Sequence, residues 1–465
     1  MSSDLIAEPG SFRDKNNRVF YRDGRIFRRL NADSLADWKA LSAAPFYRQL
    51  IDEQKLVGSR LVDQPAGAAA SGDWVAVLEH DRVPFISYPY EWPFNMLKDA
   101  ALLQLELIEF ALSAQLTLKD ATPYNIQFIG SRPVFIDIPS FTRWVPGEPW
   151  AGYRQFCELF LFPLFLQAYK NLSYTPWLRG SLEGIPVDAC RQFWSLRDLL
   201  RPGIFSHVVV HSKLQNKFNE TKRVVRSDLK GAGFGKELIL ANIRSLAKVV
   251  RGLSWKQPGS EWSDYATARS YTPEDYERKK KFVGDFIRAK PRRLVWDLGC
   301  NTGDFSRLAA GHAEYVVSMD ADPWVIEGLY QGLRQEKNRK ILPLVMNFAN
   351  TSSAQGWRGS ERKALTERGR PDLALCLALI HHIVISANVP MEEWVDWLAG
   401  WGSELVIEFV TRDDPMTKRL LLNKEGQHLD YTRERFEQSL GGHFQIRSTE
   451  TLSQGTRILY GCERK

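Results

Sequence analysis

The sequence predicts a two-part protein of α/β class. Its carboxyl-terminal half carries a parallel sheet with helices on both faces, and its amino-terminal half is α+β with a helical extension. Three observations predict this. From Arg293 onward, short apolar runs alternate with helical patterns, which is how a parallel sheet is written. Before residue 150, a hairpin and a second pair of short strands enclose apolar-periodic helices. The stretch between, Gly152–Lys256, is mostly helical and aromatic.

The elements follow in order. RVFYRDGRIFRRL reads as a hairpin turning at Asp23–Gly24. Met96–Leu116 has helical spacing of its apolar residues. NIQFI and PVFID are short strands joined by a turn at Gly130–Pro133. Gly252–Ala266 is rich in Gly, Pro and Ser without a clear period, as in a linker. Pro273–Ala289 opens with Pro and acids and closes with basic residues, the polarity of a helix. LVWDLG, YVVSMD, PDLALCLALI and SELVIEFV are strands, while TGDFSRLAAGH and PWVIEGLYQGLRQ are helices. The expected regions are therefore 1–150, 151–260 and 261–465.

Composition sets limits. At 465 residues, 44% hydrophobic and 25% charged, the chain has material for full cores and is not disordered as a whole. No apolar run approaches the roughly 20 residues of a membrane span, and MSSDLIAEPG lacks the features of a secretory signal. Five scattered cysteines without a CxxC pair argue against a zinc ribbon or a disulfide framework. The expected compartment is the cytoplasm. The net charge of +7 is concentrated: His207–Lys256 holds eleven Lys/Arg against three Asp/Glu. Such a stretch could meet a phosphate-rich partner or simply be a solvated face. No motif indicates nucleic acid.

The chemistry concentrates in LVWDLGCNTGDFS. A buried strand ends in Asp297, a turn carries Gly299, Asn301 and Gly303, and a helix starts near Asp304. Glycines let the backbone approach a ligand, and the helix start offers free N–H groups. A nicotinamide fingerprint would read GxGxxG and face a pyrophosphate. This chain has DxGxxxG, and Asp297 suits a ligand with an ammonium group. Asp320 ends the second strand, where a carboxylate can accept both ribose hydroxyls. The segment LPLVMNFAN could bring Asn347 and Phe348 beside an adenine.

These segments, in this order, resemble class I S-adenosylmethionine-dependent methyltransferases over about Tyr265–Lys465. The resemblance implies a Rossmann-like seven-stranded sheet. It also implies S-adenosyl-L-methionine as cofactor, with Asp297, Gly299, Asn301 and Gly303 around its methionine part and Asp320 on its ribose. Asn347 and Phe348 would flank the adenine. His381 and His382 follow the fourth strand, and either could serve as a base; equally, one could pack under the cofactor and the other shape the loop. Glu408 is an alternative base, with an ion-pair or cap role the plainer reading. Adjacent histidines on an extended strand point apart, so no metal site is expected.

A second resemblance lies in LKDATPYNIQFIGSRPVFIDIPSF. It is similar to the catalytic segment of kinase-like small-molecule phosphotransferases, with Asp120 for the acceptor hydroxyl and Asn125 and Asp137 for magnesium. It departs from that pattern: Leu118 and Lys119 replace the usual His-Arg or His-Gly, Asp-Ile-Pro replaces Asp-Phe-Gly, and no glycine-rich phosphate loop precedes it. Arg28 stands where a phosphate-binding Lys is expected, with Glu53 as its prospective partner. The expectation is a kinase-like remnant without phosphoryl transfer.

The halves together resemble a bacterial family of large methyltransferases, some labelled nodulation proteins. What this implies is methyl transfer to an unidentified acceptor, by O- or N-methylation of a small molecule, glycan or macromolecule. An anionic or glycan-like acceptor is compatible with it. The amino-terminal domain would then recognise that acceptor. Two alternatives stand beside it: a bifunctional kinase–methyltransferase acting on a glycan or hydroxylated metabolite, and a non-catalytic scaffold.

Overall fold

The computed structural model describes residues 5–63, 73–212, 235–256, 271–424 and 426–465. The chain divides into two compact units. One comprises 1–128, 133–257 and 356–362; the other comprises 129–132, 258–355 and 363–465. Regions 1–150 and 151–257 thus share one unit, and each unit borrows a short segment that sequence order would give to the other. The boundary expected at 260/261 and much of the basic stretch lie outside the described residues.

The first unit contains a five-stranded antiparallel sheet in the order β1-β2-β3-β5-β4, with β1 at Ile6–Ala7, β2 at Asn17–Arg22, β3 at Arg25–Leu30, β4 at Ser59–Val62 and β5 at Ala76–His80. The β2–β3 turn sits on Asp23 and Gly24, both with positive φ, the geometry that matches hairpin twist. The long helix runs Phe94–Ser113, not to Leu116. Gln115 takes a positive φ, and Leu116 already belongs to β6, Leu116–Leu118, which pairs with β9, Phe141–Arg143. Between them, β7 (Ile126–Ile129) and β8 (Arg132–Phe135) form the second hairpin. Helix Lys236–Gly252 buries Ile239, Ile243, Leu246 and Val250, at helical spacing along one face.

The second unit is built on seven strands: β10 Arg292–Leu298, β11 Ala313–Asp320, β12 Ile341–Val345, β13 Leu373–Cys376, β14 Glu404–Val410, β15 Phe444–Leu452 and β16 Arg457–Arg464. Their order is β12-β11-β10-β13-β14-β16-β15. The first five are parallel, but β16 runs antiparallel to both β14 and β15. The sheet is therefore mixed rather than parallel throughout. Alternate residues serve opposite faces. Val295, Val316, Ile341 and Leu373 join Val283, Ile287, Ile326 and Leu329 from helices Pro273–Arg288 and Pro323–Gln335 in one core. Trp296, on the other face of β10, meets Trp401 edge-on. Thr272 and Asp322 cap these two helices through backbone N–H groups, with Pro at the first helical position of each. No helix among the described residues is long and apolar enough to cross a membrane.

Candidate functional site

The carboxyl ends of β10 and β11 are locked together by the turn that follows β10. The N–H groups of Gly299 and Cys300 both donate to the Met319 carbonyl, at 2.8 and 3.1 Å. Gly299, Asn301 and Gly303 all take positive φ, at 72, 47 and 82°. At Gly303 the glycine is needed twice over, because a Cβ would also lie 2.7 Å from Leu329 Cδ1. The turn delivers the start of helix Asp304–Ala310 to the carboxyl edge of the sheet.

Two carboxylates flank this turn. Asp320 accepts the Asn301 N–H on Oδ2 and the Asp322 N–H on Oδ1, both at 3.0 Å. Each oxygen keeps further acceptor capacity. Asp297 is 2% exposed and accepts Ser306 Oγ at 2.6 Å, which in turn accepts Ser318 Oγ at 2.7 Å. Burial pushes Asp297 up to about 6. Ser306 opposes the rise, and nearby Asp320 adds to it. Burial also raises Asp320, against the backbone N–H groups that favour its charge. After β12, Asn347 is exposed and accepts the Ala349 N–H, while Phe348 is buried against Trp394 and Trp397.

The histidines do not sit on an extended strand. β13 ends at Cys376, Ala378 takes φ 52°, and the chain turns into helix, with His382 opening a π-helical turn through Ser386. Their rings lie 4.2 Å apart between centroids instead of pointing away from each other. His381 is buried, and its Nδ1 has no hydrogen-bond partner among the described residues. Burial, then His382 and the cations Arg457 and Lys279, holds His381 well below the usual imidazole range. Burial and Arg457 take His382 down to about 4. Among the described residues, no group of three or more His, Cys, Asp or Glu is placed to hold a metal.

Glu408 is fully buried on β14 and held by Lys279 and Tyr271, with Arg457 Nη1 3.7 Å from its Oε1. Lys279 Nζ reaches its Oε2 at 2.7 Å, and Tyr271 Oη donates to Oε1 at 2.5 Å. Tyr271 Oη in turn accepts from Lys279 and from Arg457, whose guanidinium also grips Asp414. Burial opposes the charge of Glu408, but Lys279 and Arg457 prevail and keep its pKa low. Sequence reading missed Tyr271, Lys279, Asp414 and Arg457. They come from three separate segments, with Tyr271 and Lys279 at one helix and Asp414 and Arg457 far along the chain, and no motif connects them.

In the first unit, Asp120, Asn125 and Asp137 do converge. Asn125 Nδ2 lies 3.4 Å from Asp137 Oδ2, and burial with Asp137 nearby raises Asp120. Arg28 Nη1 donates to Asp137 Oδ1 and to Asn17 Oδ1, each at 2.8 Å. Glu53 is not its partner; it pairs with Lys55 and accepts from Gln49 within its own neighbourhood.

No family model matches the chain. Among solved structures, it is similar to the N-methyltransferase NodS from Bradyrhizobium japonicum WM9, at 14% identity over 42% of this chain and 97% of that one, with a TM-score of 0.31. It is also similar to magnesium protoporphyrin IX methyltransferase (ChlM) from Synechocystis PCC 6803 with bound SAH, at 18% identity over 45% and 90% of the two chains, with a TM-score of 0.30. Likenesses at such scores carry no argument about this chain. The whole-length relative is different in kind. Nodulation protein NoeA of Rhizobium meliloti (strain 1021) is 35% identical over 460 residues, covering 98% of this chain and 95% of that protein. Identity of that extent, running through both units, is common descent: the chain belongs to the family of the nodulation protein NoeA.

Proposed function

We propose that this protein is an S-adenosyl-L-methionine-dependent methyltransferase. The observation that carries the reading is the clasp between the two carboxyl strand ends, where Asp320 holds the Asn301 N–H in a turn with positive φ at 299, 301 and 303. An open glycine turn next to a carboxylate with spare acceptor capacity fits a nucleoside bearing an amino acid. When bound, that cofactor supplies a methyl group on sulfonium. Asp320 is assigned to its ribose hydroxyls and the 299–303 turn to its methionine part. Asn347 and Phe348 are assigned to the adenine rim. Asp297, once ionised, balances the ammonium charge.

His381 and His382 are neutral at pH 7, and a base as weak as His382 takes little proton from an ordinary alcohol. Their assigned work is to orient the acceptor, and catalysis rests on alignment. The acceptor stays unassigned beyond that. The first unit is assigned to acceptor recognition rather than phosphoryl transfer. Its motivating feature is Arg28, whose fixed positive charge sits on the carboxylate that would have to hold magnesium.

The test is calorimetry with S-adenosylmethionine and S-adenosylhomocysteine. Both should bind, and Asp320→Ala should weaken both by tenfold or more, since hydrogen bonds to a charged group are worth about 1.5–3 kcal/mol. Unchanged affinity in the folded variant removes the ribose assignment.

A further inference from the structure

Three segments of the first unit meet: 162–182, 190–212 and 238–256. Tyr169 Oη donates to the Pro202 carbonyl at 3.0 Å, and Trp255 Nε1 donates to Asn171 Oδ1 at 2.7 Å. Gly203 is packed so closely that a Cβ there would lie 2.7 Å from Phe165 Cζ and 2.8 Å from Val249 Cγ1. Together the three segments carry nine Lys/Arg and a single acid, Asp198. That acid is buried, and Lys170 and Arg201 hold its carboxylate at 2.6 and 3.1 Å. These segments therefore expose cations and no acid. Of the nine cations, Arg244 is taken by Glu109 from outside them.

The second observation is independent of charge. Leu196 and Leu200 are 87 and 90% exposed, nearly as open as in an extended chain, and Phe205 is 57% exposed. A lone exposed leucine is ordinary, but these three lie within one stretch of ten residues. The same stretch exposes Arg197, Arg201 and Pro202, so protruding apolar side chains alternate with guanidinium groups. Its shape is fixed from beneath: Asp198 accepts the Ser195 N–H and Oγ at 2.9 and 2.7 Å, closing the Leu196–Leu200 turn. Side chains that project, rather than line a hollow, do not suit a small soluble ligand. Nucleic acid uses cations and aromatic platforms and gains little from leucine. An anionic bilayer answers both features. Its acyl boundary receives Leu and Phe, and its phosphates lie at the depth of the arginines.

We propose that this face of the first unit docks peripherally on an anionic lipid bilayer. Leu196, Leu200 and Phe205 enter the acyl boundary, and Arg197, Arg201 and Lys248 meet the lipid phosphates. Docking of this kind needs no spanning helix, and it does not depend on the methyl-donor assignment.

The test is cosedimentation of the full chain with vesicles of pure phosphatidylcholine and of equimolar phosphatidylcholine and phosphatidylglycerol. The mixed vesicles should bind the chain about tenfold better than the neutral ones, and less well as salt rises. Leu196→Ser combined with Leu200→Ser should weaken that binding about tenfold or more, because these are the side chains the bilayer buries. Arg197→Gln should weaken it about fivefold. All three side chains are exposed, so melting temperature should hold. Should the double variant melt early, Leu196→Ser alone carries the same expectation with about a threefold loss. Three outcomes overturn the proposal: no binding to the mixed vesicles, equal binding to both kinds, or leucine variants that bind as the native chain does. Sedimentation equilibrium supplies a fourth: a native chain that dimerises while the double variant stays monomeric gives this face to a second copy instead.

Discussion

Donor affinity should depend on pH through Asp297. This carboxyl is buried and sits near 6, with Asp320 and Asp304 pushing it up and Ser306 and Lys279 pulling it down. A ligand whose ammonium group is balanced by Asp297 binds the ionised form and must first remove its proton. At pH 5 that costs about 1.4 kcal/mol, and at pH 7 almost nothing. Affinity for S-adenosylhomocysteine should therefore rise about tenfold from pH 5 to pH 7. The ligand's own α-amino group titrates at about 8 or above and stays protonated over that range. The same group acts on stability with the opposite sense. Its folded pKa is raised, so its favourable contribution is complete below about 3.8 and is lost as pH climbs through 6.

The assay is calorimetry at half-unit steps between pH 5 and 7 on the native chain and on Asp297→Asn. The native slope should be positive, and the variant should be weaker and nearly flat. A flat native profile, or a variant that keeps the full slope, refutes the placement of Asp297 on the ammonium group. A rising profile that survives Asp297→Asn but vanishes in Asp320→Asn would transfer the titration to Asp320, whose pKa burial also raises.

The other predictions concern the rest of the site. Glu408→Ala strands Lys279 as a buried charge, so stability measured by urea unfolding should fall by about 3–5 kcal/mol; Lys279→Met together with Glu408→Leu should recover most of it. Gly303→Ala combines a left-handed backbone with a Cβ 2.7 Å from Leu329; about 2–4 kcal/mol of destabilisation is expected by thermal or urea melting, from strain and overpacking together. Titration with ATP and magnesium should show no binding with metal on Asn125 and Asp137, because Arg28 already occupies Asp137; transfer to any acceptor that disappears in Asp120→Ala would overturn this.

The legible parts of the molecule are those whose meaning is contiguous. The turn 297–303 could be read because one short segment carries the strand end, the glycines and the helix start. Helix Pro323–Gln335 could be read to its last residue because its proline, its Asp322 cap and its apolar spacing agree. The antiparallel end of the sheet was not legible. β15 alternates poorly, with only Phe444 and Leu452 fully buried, so its edge position hides its period. The histidines were misplaced because LALIHH is equally apolar as strand or helix, and nothing local says that β13 stops at Cys376.

What escaped sequence reading altogether is the charge arrangement, and it changes the chemistry. Glu408 by itself looks like a base at a strand end. In the fold it is bound to a lysine 129 positions away and, through Tyr271, to Arg457. That commitment removes it as a proton acceptor, since a carboxylate stabilised by two cations has little affinity for a proton. The same two cations also act on the histidines: both depress His381, and Arg457 depresses His382. Burial is the larger cause for both imidazoles and the network adds to it, so the strand-end acid and both imidazoles are left with little basicity. The proposed methyl transfer must then draw its acceptor from groups that are nucleophilic without a strong base. A neutral amine, or a hydroxyl already acidic in solution, meets that condition; an ordinary alcohol does not.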